Sequence, residues 1–151
     1  MVESGVYDVL IGQYEHNLDA KGRIIIPAKL REALGEQIIV TRGLDTNLYI
    51  YPHSTFETMT QKVLSLPMTH KDARAYRAVT IASAVECELD NQGRINLPAN
   101  LIKSANLSKQ AIIIGSIDHV EIWDLSTWNQ YLQESTDAIS QIAENLTEYL
   151  V

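Results

Sequence analysis

The feature that most constrains this chain is a 13-residue segment that occurs twice. Residues 18–30 read LDAKGRIIIPAKL and residues 89–101 read LDNQGRINLPANL, so 8 of 13 positions are identical at an offset of 71 residues. A segment repeated at a fixed distance is typical of a chain built from copies of one small structural unit. The sequence therefore predicts two units of the same kind.

The similarity continues beyond this segment. At an offset of 72, which fits one inserted residue in the second copy, small and aromatic positions correspond again. The matched pairs are Gly43 with Gly115, Ile50 with Ile122, Ser54 with Ser126, Tyr51 with Trp123 and Phe56 with Trp128. Each unit spans only about 43 residues, which is too few to bury a stable core alone. We therefore expect the two units to complete one core between them.

Each copy has the pattern of a β-hairpin followed by a short helix and two strands. Gly22 and Gly93 supply residues that tolerate positive φ in a turn. Pro27 and Pro98 suit the first turn of a helix, and Gly35 suits the end of the first of these helices. Short apolar runs at residues 38–40 and 48–51 predict strands. The predicted fold class is therefore α+β with a mainly β core.

Helices are predicted after each unit. Ser54 and Glu57 have capping-box spacing, and a further helix is expected over residues 70–83. The C-terminal residues predict one long amphipathic helix with an acidic outer side. The predicted divisions are an N-terminal extension, different start or added residues at 1–11, a first half-domain at 12–54, a helical connector at 55–82, a second half-domain at 83–126 and a C-terminal helix at 127–151.

The acidic charge of the chain is concentrated at its C-terminal end. The net charge is −7, yet residues 1–109 hold 12 acidic and 12 basic side chains, whereas residues 110–151 hold 7 acidic ones and no Lys or Arg. A local basic cluster can still bind phosphate, since charges beyond about 10 Å are screened at 0.1 M salt. No run approaches the roughly 20 apolar residues of a membrane span, so we expect neither a membrane partner nor a signal peptide. The single Cys87 fits a buried strand position and a reducing cytoplasm.

The two LDxxGRIxxP elements, with VTRGLDTNLYIYP after the first and GSIDHVEIWD after the second, resemble the MraZ family. The resemblance implies tandem AbrB-like swapped-hairpin halves that form a pseudo-twofold, barrel-like core with flanking helices. It also implies a cytoplasmic, nucleoid-associated transcriptional regulator that assembles into a ring of many subunits. Its partner would be double-stranded DNA, as repeated boxes upstream of its own gene at the head of the division and cell-wall gene cluster.

The doubled Asp-x-x-x-Arg motif supplies the candidate binding residues. Asp19 and Arg23 flank a three-residue turn, and an exposed pair of this kind contributes only about 0–1 kcal/mol. A structural hairpin clamp is therefore favoured for Asp19, Asp90 and Arg94. For Arg23 the resemblance favours DNA contact, because a guanidinium matches phosphate and the O6/N7 edge of guanine. The predicted DNA-binding residues are Lys21, Arg23, Lys29, Arg31 and Arg42, and the predicted motif or orienting residues are Asp19, Gly22, Asp90, Gly93 and Arg94.

The second copy has fewer basic residues than the first. Gln92 stands where the first copy has Lys21. The basic pair Lys29 and Arg31 gives way to Asn100 and Lys103. The sequence therefore leaves the contribution of the second motif to DNA binding open.

Two other function classes, an enzyme and an interaction module, are the alternatives to a DNA-binding regulator. The four histidines show no metal-ligand spacing with Cys87, and the chain has no P-loop or GxGxxG segment, so neither an enzyme nor a cofactor is expected. Glu86, Glu88 and Asp90 alternate along one predicted strand and could hold a cation, although an exposed strand face explains them better. The second alternative is an antitoxin-like interaction module that holds a basic protein through the acidic C-terminal helix.

Overall fold

The computed structural model describes residues 9–150, so most of the predicted N-terminal extension lies outside the described residues. Strands and short helices alternate along both halves of this range. The strands are β1 Leu10–Asn17, β2 Arg23–Ile25, β3 Gln37–Arg42, β4 Leu48–Pro52, β5 Val85–Glu88, β6 Arg94–Asn96, β7 Gln110–Ile117 and β8 Val120–Asp124. The helices are α1 Ala28–Leu34, α2 His53–Leu64, α3 Lys71–Thr80, α4 Ala99–Ser104, α5 Leu125–Asp137, α6 Ile139–Asn145 and α7 Thr147–Leu150.

The two halves exchange strands. Six strands form an antiparallel sheet in the order β1-β7-β8-β4-β3-β5, and β2 and β6 form a separate two-stranded ribbon. Along its whole length β1 pairs with β7 of the second half, and β5 pairs with β3 of the first half. The prediction of two local hairpin ladders is therefore wrong, because only the turns are local and the strands on either side of each turn pair with the other half.

Equivalent positions of the repeat face each other in two of these pairings. In the ribbon, Ile24 lies opposite Ile95, its counterpart at the offset of 71. In the large sheet, Tyr49 lies opposite Glu121, its counterpart at the offset of 72. The predicted α+β class with a mainly antiparallel sheet is confirmed. The large sheet is open, with β1 and β5 at its edges, so the predicted barrel is not confirmed.

One hydrophobic core is shared by the two halves, as the repeat length predicted. Ile24 and Ile95 are each 1% exposed and belong to this core. Helix α1 contributes Leu30 and Leu34, and α4 contributes Leu101. The remaining strand residues of the core are Leu10, Ile38, Val40, Leu48, Ile50, Ala111, Ile113, Val120 and Ile122.

The outer face of the large sheet carries matched aromatic pairs. The ring centroids of Trp123 and Trp128 lie 5.2 Å apart, and those of Tyr51 and Phe56 lie 5.8 Å apart. These pairs are equivalent in the repeat and join α5 to β8 and α2 to β4. The aromatic correspondence in the sequence therefore marks where the helices of each half pack on the sheet.

The helix predictions need correction at three places. Helix α2 follows Pro52, whose φ of −56° suits a helix start, and Ser54 lies inside the helix without capping it. Helix α3 is shorter than predicted. The C-terminal segment is three helices, because Ala138 and Leu146 both have φ of −104° and ψ near zero. Little tertiary packing holds α6 and α7, and such packing is the main stabiliser of helices in proteins. None of the described helices combines the length and apolar content needed to cross a bilayer.

Candidate nucleic-acid interface

The first motif folds into a tight turn closed by a carboxylate. The Asp19 amide donates to the Arg23 carbonyl oxygen over 2.9 Å, and Gly22, with φ of +81°, donates to the Asp19 carbonyl oxygen over 3.0 Å. One carboxylate oxygen of Asp19 accepts from the amides of Arg23 (2.8 Å) and Lys21 (2.9 Å), and the other accepts from Arg23 Nε at 2.7 Å. The bond from the Arg23 amide is the main reason why the pKa of Asp19 lies below its usual value.

The second motif has the same turn geometry. The Asp90 carboxylate accepts from the amides of Arg94 (2.8 Å) and Gln92 (2.9 Å) and from Arg94 Nε at 2.8 Å. Gly93 has φ of +76°, in the left-handed region where glycine is favoured. The bond from the Arg94 amide lowers the pKa of Asp90 in the same way. A carboxylate clamp that fixes the following arginine is therefore present in both copies.

The ribbon brings the two arginines together on one face. Side chains alternate between the two faces of a strand, and the ribbon turns Ile24 and Ile95 into the core. The opposite face carries Arg23, Ile25, Arg94 and Asn96. In this register Arg23 and Arg94 are diagonal neighbours, whose Cα atoms are about 7–8 Å apart. The sequence did not indicate this proximity, because it depends on the pairing of β2 with β6 across the repeat.

The guanidinium groups of this face are accessible. The side chain of Arg23 is 33% exposed and that of Arg94 is 25% exposed. Each guanidinium bonds its aspartate through Nε, and within residues 9–150 the terminal amino groups make no hydrogen bond. These amino groups can donate hydrogen bonds to a ligand, because the clamp fixes each guanidinium through Nε alone.

The two turns sit at opposite ends of the ribbon and are tied to it from the other half. The Leu97 amide donates to the Gly22 carbonyl oxygen over 2.8 Å, and the Ile26 amide donates to the Gly93 carbonyl oxygen over 2.9 Å. Gly22 and Ile26, the residue bonded to the second turn, are four residue steps apart along β2, which corresponds to about 13 Å. The ribbon and its two turns therefore form one continuous surface, which we call the ribbon surface.

Each turn is also covered by a side chain from the helix of the other half. A Cβ added at Gly93 would overlap the guanidinium of Arg31, whereas a Cβ added at Gly22 would meet Cδ1 of Ile102 at 3.2 Å. The counterpart of Arg31 is therefore Ile102, and the sequence comparison with Lys103 was wrong by one position. Arg31, from the first copy, supplies a positive charge beside the turn of the second.

The remaining predicted DNA-binding residues divide into two groups. Lys21 is exposed at the first turn, and Lys29 is exposed in the first turn of α1, close in sequence to the ribbon. Arg42 lies at one end of β3, and Gln37, which pairs with Glu88 just before the second turn, lies at the other end. Five residues of strand correspond to about 16 Å, so Arg42 is not on the ribbon surface.

A second polar cluster, not found from the sequence, lies at the opposite end of β7 from the first turn. His119 Nδ1 bonds Asp118 Oδ1 at 2.8 Å, and its Nε2 bonds Glu121 Oε2 at 3.0 Å. Burial lowers the pKa of His119, but the hydrogen bonds to Glu121 and Asp118 outweigh it and raise the pKa above its usual value. Glu121 also accepts from Trp123 Nε1 at 2.8 Å and from Asn47 at 3.0 Å. The cluster thus ties β8 to the loop before β4.

The acidic strand residues do not form a cation site. Within residues 9–150, no three His, Cys, Asp or Glu side chains group as metal ligands would. Glu86 and Glu88 are exposed on β5, and the Asp90 carboxylate is occupied by Arg94. Cys87 is half-buried on the same strand, and burial raises the pKa of its thiol.

One protein family matches this chain twice. The family, described as "MraZ protein, putative antitoxin-like", matches residues 9–78 and again residues 80–149. The two matches meet at the end of α3 and divide the chain into the same halves that exchange strands. The first match begins just before β1, so the predicted boundary between residues 11 and 12 falls inside a strand of the first half.

Proposed function

The chain belongs to the MraZ family, and on this basis we propose that it is a sequence-specific DNA-binding transcriptional regulator. It acts as a ring of many subunits on repeated boxes upstream of its own gene, in the division and cell-wall gene cluster. It works in the cytoplasm, associated with the nucleoid. In this proposal the two halves form a pseudo-twofold unit that presents both motif turns to one duplex.

The observation that carries the proposal is the ribbon surface. The major groove of B-DNA is about 12 Å wide and admits a two-stranded β-ribbon. Arg23 and Arg94 lie on the accessible face of such a ribbon, and each is oriented by an aspartate. Planar guanidinium groups can bond two phosphate oxygens or the O6 and N7 atoms of guanine. The face therefore has the width and the donors that base or backbone contact requires.

Additional cations surround these two arginines. Lys21 is exposed at one turn, Arg31 lies beside the other, and Lys29 is exposed near the start of α1. These lysines would act as point charges on phosphate, which fix the position of the protein along the duplex. Asp118 and Glu121 lie at the end of β7 away from the first turn, and the eight residues of this strand span about 23 Å. Salt screens charges farther away than about 10 Å, so these two acids do not cancel the charge of the ribbon surface.

A single ribbon surface is too small for tight binding alone. Affinity falls with salt in proportion to the number of neutralised phosphates, and one surface offers only a few cations. A ring that places several such surfaces on repeated boxes gains through effective concentration, by as much as about 10²–10⁴ in affinity. The ring therefore explains why the binding sites would be repeated.

Fluorescence anisotropy tests the proposal. A duplex from upstream of the protein's own gene and a shuffled duplex of equal composition are compared at about 150 mM salt, where non-specific binding is typically no tighter than about 10⁻⁶ M. We expect a preference of at least about tenfold for the native duplex. Equal binding to both duplexes would contradict sequence-specific regulation.

The ring is tested separately with the number of boxes. A duplex with one box and a duplex of equal length with several boxes are titrated with the same protein. We expect much tighter binding to several boxes, because the additional contacts are intramolecular. Equal affinity for the two duplexes would refute the ring while leaving DNA recognition intact.

A second candidate function is an antitoxin-like interaction module. The family description names antitoxin likeness, and helices α5, α6 and α7 carry acidic side chains and exposed apolar ones. A variant lacking residues 136–151 is tested separately for single-box binding and for assembly. A regulator keeps single-box binding without this segment, whereas an interaction module shows no preference for the native duplex at either length.

A further inference from the structure

Helices α2 and α3 form an apolar groove on the outside of the first half. Pro67 lies in the short link between them, and residues of both helices line one hollow. The groove has a volume of about 670 Å³ and is lined by Met59, Val63, Leu66, Pro67, Ala73 and Tyr76. The side chains of Leu64 and Tyr76 are 61% and 40% exposed, so this helix pair keeps a large apolar surface in contact with water. Such a contiguous apolar surface marks an interaction site.

The helix pair that forms the groove has a net positive charge. Residues 53–80 contain four Lys or Arg and only two Asp or Glu, although the chain as a whole is acidic. Lys62 and Asp72 both lie in the groove lining, and Arg74 and Arg77 line a hollow on the other side of the helix pair. These two arginines bond the carbonyl oxygen and the sulfur of Met68, and within residues 9–150 neither pairs with a carboxylate. Their charge is therefore available to an acidic partner.

The end of the chain has the complementary character. Ile139, Leu146 and Tyr149 are 56%, 43% and 75% exposed and recur at helical spacing. Helices α6 and α7 pack mainly against the helix that precedes each of them. Residues 138–150 contain no Lys or Arg, and their acidic residues are Glu144 and Glu148. It is thus an acidic amphipathic segment whose apolar side is left uncovered by its own chain.

We propose that the α6–α7 segment of one copy docks into the α2–α3 groove of a neighbouring copy. The apolar residues around Ile139 and Leu146 fill the groove, and Glu144 and Glu148 lie near Lys62 at its border. Charge complementarity selects this occupant over a second groove, which would bring like charges together.

This contact is heterologous, because groove and segment are different parts of the chain. Each copy offers one groove and one segment, so addition continues until the rotation closes a ring or an open filament grows. The inference deepens the proposed function, since it rests on assembly and names the surfaces that produce it. It leaves the ribbon surface untouched and free for DNA.

Two variants, each defective in one surface, test the inference. Tyr76→Glu places a negative charge in the groove, and Ile139→Glu places one on the docking segment; both side chains are at least 40% exposed, so the fold should survive. Leu44→Glu, at a loop position that is 69% exposed, is the matched control. Mass is measured by light scattering after gel filtration at one protomer concentration, with circular dichroism to verify folding.

The decisive result is the behaviour of the mixture. Each defective variant alone is expected to run as a monomer of 16.9 kDa, whereas the control assembles like the wild type. Mixed in equal amounts, the two variants should form a complex of twice that mass and no larger, because only one intact groove meets one intact segment. Assembly of either variant alone, or a mixture that stays monomeric, would overturn the inference.

The failure of this inference can be told apart from failure of the proposed function. A wild type that assembles while Tyr76→Glu and Ile139→Glu leave its mass unchanged overturns the docking contact only. A monomeric wild type overturns the docking contact together with the ring. The preference for the native single-box duplex is scored on the same samples and is expected to survive in both variants.

Discussion

The two motif turns have almost the same geometry and different charge. Asp19 and Asp90 each accept two backbone amides and one arginine Nε, with corresponding distances that agree within 0.1 Å. The first turn carries Lys21 at its tip, where the second carries Gln92. The comparison separates two roles of the motif. The clamp has the same geometry in both turns, whereas the charge at the tip of the turn differs between the two copies.

Strand exchange adds a second difference between the turns. Arg31 covers Gly93 at the second turn, and its counterpart Ile102 covers Gly22 at the first. The second turn therefore has a cation beside it even though its own sequence has lost the lysine. Besides Arg23 and Arg94, each end of the ribbon surface has a further cation, which is Lys21 at the first turn and Arg31 at the second. Both of these residues belong to the first half of the chain.

The largest expected effect comes from the arginines. Loss of a bidentate contact costs about 1–3 kcal/mol of discrimination. Arg23→Ala and Arg94→Ala should both weaken binding to the native duplex by roughly 5- to 150-fold. Arg23→Ala should have the larger effect, because Lys21 brings its turn closest to phosphate. Anisotropy titrations on folded, assembled protein measure both.

Arg42→Ala is the control for these arginine variants. Arg42 lies about 16 Å along β3 from the turn-side end of that strand, so it should bind DNA like the wild type. A weakened Arg42→Ala would extend the interface beyond the ribbon surface. If Arg94→Ala binds as tightly as the wild type while Arg23→Ala does not, only the first turn contacts DNA.

The glycines give the next largest effect. An L-residue in the left-handed region costs about 1–2 kcal/mol, so Gly22→Ala and Gly93→Ala should each lower the free energy of unfolding by about that amount. Gly22→Ala should cost more, because its Cβ meets the Leu97 carbonyl oxygen at 3.1 Å. At Gly93 the obstacle is the end of the Arg31 side chain, which can move. Urea unfolding at a fixed protomer concentration measures both, and equal costs would show that the neighbours do not matter.

The tips of the turns allow a smaller, charge-only test. Lys21→Gln makes the first turn resemble the second, and Gln92→Lys does the reverse. If each lysine neutralises one phosphate, the slope of log affinity against log salt should become shallower by about 0.9 for Lys21→Gln and steeper by about 0.9 for Gln92→Lys. A slope that changes only for Lys21→Gln would confine phosphate contact to the first turn.

The parts of the fold that depend on local chemistry were predictable from the sequence. Pro27 and Gly35 bracket α1, and Gly22 and Gly93 mark the two turns. The shared core also followed, because a repeat of about 43 residues cannot bury enough apolar area by itself. Each of these inferences needs only neighbouring residues or a size argument.

The parts that depend on pairing between the halves were not predictable from the pattern of residues. A short apolar strand shows the same alternation whether it pairs with its neighbour or with a strand of the other half, so the sequence predicted that β1 and β2 form a local hairpin. In the structure the paired residues are 93–107 positions apart for β1 and 69–73 positions apart for β2. For this reason Arg94 was assigned only a clamp role, although the exchange places it beside Arg23. The contact of Arg31 with the second turn depends on the same exchange.

The smallest expected difference is between Asp19 and Asp90. Both pKa values lie below that of an ordinary aspartate, mainly because the backbone amide of the clamp arginine donates to each carboxylate. A lowered pKa in the folded state contributes stability that is present above the unfolded-state pKa and is lost as the pH falls through the folded-state value. Because the two carboxylates accept nearly the same hydrogen bonds, side-chain NMR titration should give two depressed and nearly equal pKa values, although only Asp19 has a lysine beside it. A clearly lower pKa for Asp19 would mean that the side-chain charge of Lys21 acts on the clamp, and the separation of clamp from charge would fail.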